Sequence, residues 1–387
     1  MSREQAVFQN SESSMNMYLR MQEGLSVFSG KKVIITGHTG FKGSWLTIWL
    51  RSLGAEVIGI SLDPVTQPSL FDSIHLQNEI KDLRIDIRNS NLISNLFKSE
   101  QPDFVFHLAA QSLVHKSYTE PAITWETNVL GTINVLEGLK LVKKKCAAVF
   151  ITSDKCYKNV EWLWGYREND ALGGDDPYSA SKAAAELAIH SYVRSYFSNN
   201  KNLIRIATAR AGNVIGGGDW SEHRIVPDCV KSWSKNESVS LRNPNSTRPW
   251  QHVLEPLSGY LTLAEQLFLH DGLHGESFNF GPSSQVEKSV VDLVREIGKY
   301  WKSVKWIVEP ISQEKVSEAS LLRLNCDKAG SLLNWVPTLN FEETVEMTAE
   351  WYRKFHGSST SMLNLCILQI ENYASLARAR NINRALS

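Results

Sequence analysis

The sequence predicts an α/β fold, a doubly wound parallel sheet followed by a smaller C-terminal region. Three observations predict it. Short apolar, β-branched runs alternate with helix-forming stretches from Lys31 to Arg210. A turn with glycines at three-residue intervals joins the first run to the first helix. The alternation fades after Gly212. The divisions that follow are an N-terminal extension over 1–24, a dinucleotide-binding domain over 25–212 with a late strand near 277–281, a mostly substrate-binding region over 213–356 and a C-terminal helical extension over 357–387.

The elements justify this in order. Lys31–Thr36 is a run suited to a buried parallel strand. It meets Gly37-His38-Thr39-Gly40-Phe41-Lys42-Gly43 and an apolar helix from Ser44 to Leu53. Gly37, Gly40 and Gly43 suit a dinucleotide pyrophosphate, giving a tight turn, close backbone approach and free N–H groups at a helix start. Together these are the marks of a Rossmann-type sheet. Glu56–Ile60 is the second strand, and the place expected to carry an acidic ribose ligand holds Ser61, with Asp63 two residues on. The absence of a nearby arginine favours NAD over NADP.

Leu62–Asp72 reads as a loop with two prolines, and Leu83–Ile87 as the third strand. Asp86 either bonds an adenine amino group or is an ordinary strand-end aspartate. Phe104–Gln111 is the fourth strand and its exit, where small residues such as Ala109 let backbone pass under a cofactor. His107 reads as a core histidine. Ala122–Lys145 is a long helix, Ala147–Ile151 the fifth strand, and Leu203–Arg210 the sixth. Val290–Tyr300 and Phe341–Phe355 are amphipathic helices. Met362–Arg378 is a C-terminal helix that packs on the body or on another subunit.

Composition excludes several classes. The 387 residues carry 41 Lys and Arg against 41 Asp and Glu, which argues against a general nucleic-acid or membrane binder. The five cysteines are scattered without a CxxC pair, so no zinc framework is expected. No apolar run spans a bilayer, and residues 1–24 lack the apolar core of a secretory signal, so the expectation is a cytoplasmic protein with no metal.

The chemistry centres on Asp176-Pro177-Tyr178-Ser179-Ala180-Ser181-Lys182. Asp176 suits an N-cap and Pro177 the first turn, so Tyr178 falls at a helix start with Lys182 on the same face. The dipole and the ammonium both favour a phenolate, which makes Tyr178 a usable base near neutrality. Thr152-Ser153-Asp154-Lys155-Cys156-Tyr157 ends the fifth strand, at the sheet edge where ligands bind. Ser153, Asp154 and Lys155 are candidates for acid–base work. Arg224, Arg242 and Arg248 lie in loop-like segments, as guanidinium forks for phosphate or as solvated surface groups.

The glycine-rich turn, the hydroxyl residue after a middle strand and the Tyr-x-x-x-Lys helix together resemble the extended short-chain dehydrogenase/reductase family over roughly residues 25–355. The segments 36–46, 68–71, 152–157, 210–220 and 248–253 resemble its nucleotide-sugar 4,6-dehydratase branch, on the side that acts on CDP-glucose. The resemblance implies NAD at Gly37, Gly40, Phe41, Lys42, Gly43, Asp86, Ala109, Tyr178 and Lys182. It implies the sugar nucleotide at Asn213, Arg224 and Arg248. It implies Tyr178 as the 4-hydroxyl base, Lys182 holding the nicotinamide ribose, Ser153 on the 4-oxygen and Asp154 as acid for the 6-hydroxyl. Related dTDP-glucose enzymes carry Asp-Glu where this chain has Asp154-Lys155. Lys155 is then either a neutral C5 base or a partner for enolate charge. The resemblance further implies deoxysugar biosynthesis, of the lipopolysaccharide O-antigen kind, and a homodimer or homotetramer paired through helices near 122–142 and 178–197. The competing readings are another nucleotide-sugar dehydratase or 4-epimerase on this scaffold, and a non-catalytic NAD-sensing protein.

Overall fold

Seven strands lie side by side in a computed structural model of the chain, which describes residues 25–199, 203–241, 243–282, 288–302, 304–308, 321–357 and 360–380. The expected extension over 1–24, Arg242 and the last seven residues lie outside the described residues. The strands are β1 (Lys32–Thr36), β2 (Glu56–Ser61), β3 (Lys81–Arg84), β4 (Phe104–His107), β5 (Cys146–Ile151), β6 (Ile204–Ala211) and β7 (Ser277–Phe280). Their order is β7-β6-β5-β4-β1-β2-β3, and every pair is parallel. Long parallel crossovers place helices on both faces, so both faces are dry. Alternate residues therefore enter two cores. Val33, Ile35, Phe104, Phe106 and Val149 face one, and Ile34, Val105, Ala148 and Phe150 face the other. Each buried Val, Ile or Phe among them contributes about 1.5–3 kcal/mol.

The strand order reverses at β1, which has β2 on one side and β4 on the other. A crevice opens there at the carboxyl ends. Gly37 follows β1 and Ala109 follows β4, so both stand at its mouth. Helix α1 (Phe41–Ser52) begins in the same turn, with Gly40 as its N-cap. Further helices used below are α2 (Ser90–Glu100), α3 (Gly131–Leu139), α4 (Pro177–Tyr192), α5 (Ile225–Ser234), α6 (Leu254–Leu269), α7 (Val290–Gly298), α8 (Phe341–Gly357) and α9 (Met362–Ala379).

Three local expectations change. The third strand stops at Arg84, so Asp86 lies beyond it. The loop over 62–72 closes with a short helix, Leu70–Ser73, capped by the Ser69 hydroxyl on the Asp72 amide. The long helix over 122–145 is instead a short α-turn (Pro121–Trp125), a wider π-type turn (Glu126–Leu130) and α3. The wide turn carries Asn128, whose amide exchanges two bonds with the Gln111 backbone (2.8 and 3.0 Å) and donates to Ser181 Oγ at 2.9 Å. Such bulges re-aim side chains where regular winding would not. The chain leaves the helix after Leu139 because it must return to β5.

The C-terminal helix α9 packs on the body. The Tyr373 hydroxyl donates to Glu255 Oε2 of α6 at 2.7 Å, and its ring meets Trp49 of α1 edge-on at 5.7 Å. Gln369 donates to the Met347 carbonyl of α8 at 2.8 Å. Leu365 and Ile370 are buried, whereas Leu368 faces out. Glu255 also accepts the Thr338 and Leu339 amides, yet burial pushes its carboxyl up to about 7.

A raised acid favours folding most when protonated, so its contribution is full at low pH and is lost as pH rises through the folded value. Urea unfolding should therefore show stability falling by about 2–3 kcal/mol between roughly pH 5 and 8 from this group. Glu255→Gln should flatten the slope by that amount. An unchanged slope would show that Glu255 is already ionised in the fold.

Candidate active site

Two elements bring the acid–base groups together. Helix α4 begins as local rules require. Asp176 accepts the Ser179 amide at 2.9 Å and Pro177 occupies the first turn. Tyr178 and Lys182 then share one face and are 7 % and 6 % exposed. The second element is the exit of β5. Ser153 caps a single 3₁₀ turn, Asp154–Cys156, by accepting the Lys155 amide at 3.2 Å. Its hydroxyl donates to Asp154 Oδ1 at 2.9 Å, and the same residue acts on the Tyr178 phenol, favouring its ionised form. Ser153, Asp154, Tyr178 and Lys182 thus form one buried cluster. Lys155 is half-buried at its rim.

The β6 exit closes over Asp154. A Cβ placed on Gly212 would stand 3.1 Å from Asp154 Oδ2 and 4.0 Å from Pro249 Cγ. The neighbours of these two residues are Asn213, which is exposed, and Arg248, half-buried in a short ladder with residues 288–289. Arg224 stands at the start of α5 and bonds Asp219 Oδ2 through Nη1 at 3.0 Å. Its charge acts on Tyr178 and on Lys42. The 3₁₀ turn, α4, the glycine turn and the Asp219–Arg224 loop therefore converge, with Asn213 and Arg248 adjoining.

Burial governs the electrostatics, because the charged form loses water. Tyr178 is pushed up to about 12, chiefly by burial, with the Ser153 bond and Arg224 opposing. This reverses the direction expected from the helix dipole and Lys182, because desolvation is the largest influence on the phenol and the Asp154 and Asp176 charges act in the same direction. Lys182 is drawn down to about 8 by burial, partly offset by Cys156 and Glu186. Lys42 also falls to about 8, through burial and then Arg224. The Asp154 carboxyl is raised by burial, with Lys155, Ser153 and Lys42 pulling the other way.

The glycine turn is shaped for close approach. Gly37 has φ +79°, and a Cβ there would meet Ala109 N at 2.8 Å. A Cβ on Gly43 would strike Gly37 O at 2.1 Å. Ala109 N donates to Thr36 Oγ1 at 3.0 Å. This bare backbone fits a dinucleotide pyrophosphate. Phe41 points across to Gly216, whose added Cβ would lie 3.1 Å from its ring. Asp86 lines an open surface depression with Arg88, Asn89, Ser90 and Glu126. Its carboxylate is held by Arg88 Nη2 at 2.6 Å, which keeps its pKa low. His107 bonds Thr36 and Thr132 in the core, as its strand position suggests.

Sequence reasoning missed an arginine beside the ribose position. Arg84 Nε bonds Asp63 at 2.8 Å and Nη1 bonds Asp82 at 2.7 Å. The expectation of no nearby arginine fails because β3 pairs with β2, setting Arg84 opposite Ser61. It also missed that Lys42 acts electrostatically on Asp154, which only the fold of the turn reveals.

The sheet, the glycine turn and the Ser–Tyr–Lys cluster define a short-chain dehydrogenase/reductase of the extended kind. The family model described as GDP-mannose 4,6 dehydratase matches residues 34–348. A CDP-glucose 4,6-dehydratase of Salmonella typhimurium is 44 % identical over 330 residues, 84 % of this chain and 91 % of that protein. A dTDP-glucose 4,6-dehydratase of Haemophilus influenzae is 26 % identical, covering 85 % of this chain and 99 % of its own. Among solved structures, a dTDP-glucose 4,6-dehydratase from Bacillus anthracis in complex with NAD superposes with a TM-score of 0.67 at 21 % identity, over 84 % of this chain and 97 % of that one. The chain belongs to this family of nucleotide-sugar 4,6-dehydratases.

Tyr178→Phe keeps the buried ring and removes the proton-carrying oxygen. It should lower kcat by roughly 10²-fold or more and leave cofactor affinity within a few-fold. A fully active variant, measured by product formation, would remove Tyr178 from the chemistry.

Proposed function

We propose that the chain converts CDP-D-glucose to CDP-4-dehydro-6-deoxy-D-glucose and water, with NAD as resident cofactor. The observation that carries this reading is Asp154. It is a buried carboxyl whose acidity is weakened by burial, and it is bonded to the same Ser153 that meets Tyr178. A 4-epimerase has no use for an acid in that place. The identity of 44 % with a CDP-glucose enzyme supports the choice of base and sugar.

Gly37, Gly40 and Gly43 hold the cofactor pyrophosphate, with Phe41, Lys42 and Ala109 around it and Asp86 toward the adenine. Bound there, NAD would supply reversible hydride storage between C4 and C6 of the sugar. Tyr178 takes the 4-hydroxyl proton, and Ser153 steadies the 4-oxygen. Lys182 holds the nicotinamide ribose, and when protonated its ammonium opposes the burial that raises the Tyr178 phenol. The resulting 4-ketone acidifies the C5 proton. Asp154 gives its proton to the departing 6-hydroxyl, so that water leaves across C5 and C6. Lys155 acts on the C5 side, either taking that proton as a free amine and giving it back to C5 as hydride reaches C6, or holding the enolate charge as an ammonium while another group takes the C5 proton and C5 is protonated again as hydride reaches C6. Asn213, Arg224 and Arg248 bind the sugar nucleotide, with the guanidinium forks suited to its diphosphate. Arg84 is already paired with Asp63 and Asp82, which disfavours a cofactor 2′-phosphate and supports NAD.

No helix among the described residues is long and apolar enough to cross a membrane. Ile123, Trp125 and Leu130 of the 121–139 segment and Leu187 of α4 are exposed. These apolar side chains support pairing of two copies through these helices in a homodimer or a dimer of dimers.

A panel of nucleoside diphosphate glucoses tests the substrate. The 4-keto product should form fastest from CDP-glucose. Preference for another base, or no 4-keto product from any, would contradict the reading. Asp154→Asn should stall the cycle after C4 oxidation, so near-ultraviolet absorbance of reduced nicotinamide builds up in a single turnover and persists. Unchanged turnover would exclude Asp154 as the acid.

A further inference from the structure

A buried ion pair lies directly behind the catalytic turn. Glu186 sits one helical turn beyond Lys182 and two beyond Tyr178 on α4. Arg210 of β6 meets it with two parallel bonds, Nε to Oε1 at 3.0 Å and Nη2 to Oε2 at 2.9 Å. Their side chains are 4 % and 2 % exposed, Arg210 first. Bidentate pairing of this kind fixes direction as well as distance.

The pair's other bonds go to both ends of the turn that carries Ser153 and Asp154. The Thr152 hydroxyl, on one side, donates to Glu186 Oε1 at 2.5 Å. On the other side, Arg210 Nη1 donates to the Tyr157 phenol oxygen at 2.8 Å. Tyr157 in turn donates to Asn279 Oδ1 of β7 at 2.8 Å, and its ring stacks on Tyr166. Thr208 satisfies Glu186 Oε2 at 2.9 Å, while the Glu168 carbonyl and Ser277 Oγ take further Arg210 protons. Arg210 also lies two residues before Gly212, which packs against Asp154.

We propose that the Glu186–Arg210 pair is a positioning device that sets Ser153 and Asp154 against Tyr178 and Lys182 by holding Thr152 and Tyr157. A buried ion pair contributes little net stability compared with apolar packing, so its geometric effect is the distinguishing one. The turn is a single 3₁₀ unit whose backbone is tied at its two ends, by the Thr152 amide on the Ala209 carbonyl and the Gly173 amide on the Cys156 carbonyl; the bonds to the ion pair fix the side chains at those same ends, and a small displacement moves the hydroxyl and carboxyl off the sugar. Glu186 and Arg210 touch no reacting atom; they act through the residues they hold. This assignment rests on the dehydratase reading of the same site.

Removing either charge leaves the other buried and alone, so the test uses milder changes. Thr152→Val and Tyr157→Phe each delete one bond to the pair and keep the ion pair intact. Turnover of CDP-glucose with NAD is measured beside the wild type, with KM, cofactor affinity and melting temperature. Each variant should lose about 10- to 100-fold in kcat with KM and cofactor affinity within about twofold. Thr152→Ser, which keeps the hydroxyl, should stay near wild type. Lower melting temperature with wild-type kcat would show a purely structural network and overturn the assignment, as would a change confined to KM. A wild type inactive on every nucleoside diphosphate glucose would overturn the dehydratase reading, and this assignment with it.

Discussion

Removal of water from the carboxyl edge of β5 and the start of α4 is the constraint on which the site depends. Tyr178, Lys182 and Asp154 are nearly inaccessible there. Desolvation moves each toward its neutral form, the phenol and carboxyl upward and the amine downward. A carboxyl whose pKa is raised holds its proton more firmly, as an acid must, and an amine lowered to about 8 responds to small changes of charge. In such a medium each hydrogen bond and each added charge counts for more than it would in water.

The sheet creates that medium. Its strands are dry on both faces, and their order reverses beside β1, so the glycine turn and the β4 exit open on one crevice. The β5 exit delivers Ser153 and Asp154, and the β6 exit delivers Gly212 on top of Asp154. The late strand β7 pairs with β6 and brings Asn279 behind Tyr157. Helix α9 then ties α6, α8 and α1 together through Tyr373 and Gln369. The helix that starts at the glycine turn is thus braced from the far end of the chain.

What the sequence reveals depends on how local the cause is. The pairing of Tyr178 with Lys182 is legible because a cap, a proline and a four-residue spacing all act within one helical turn. The glycine turn is legible for the same reason. The meeting of Arg84 with Asp63 is not, because it needs the neighbouring of β2 and β3. Glu255 and Tyr373 lie 118 residues apart, and no local pattern joins them. The direction of the Tyr178 shift is not legible either, because dipole and lysine are local signals, whereas burial is set by everything packed around the ring. The break at Asn128 is not legible in the sequence, because the partners of its side chain, the Gln111 backbone and Ser181, lie on other elements.

The account holds that one sugar gives up hydride at C4 and receives it at C6 within a single site closed to water. CDP-glucose labelled with deuterium at C4 tests this most directly. The account predicts that the label appears in the new methyl group of the product and does not exchange with solvent. A methyl group free of deuterium would contradict it.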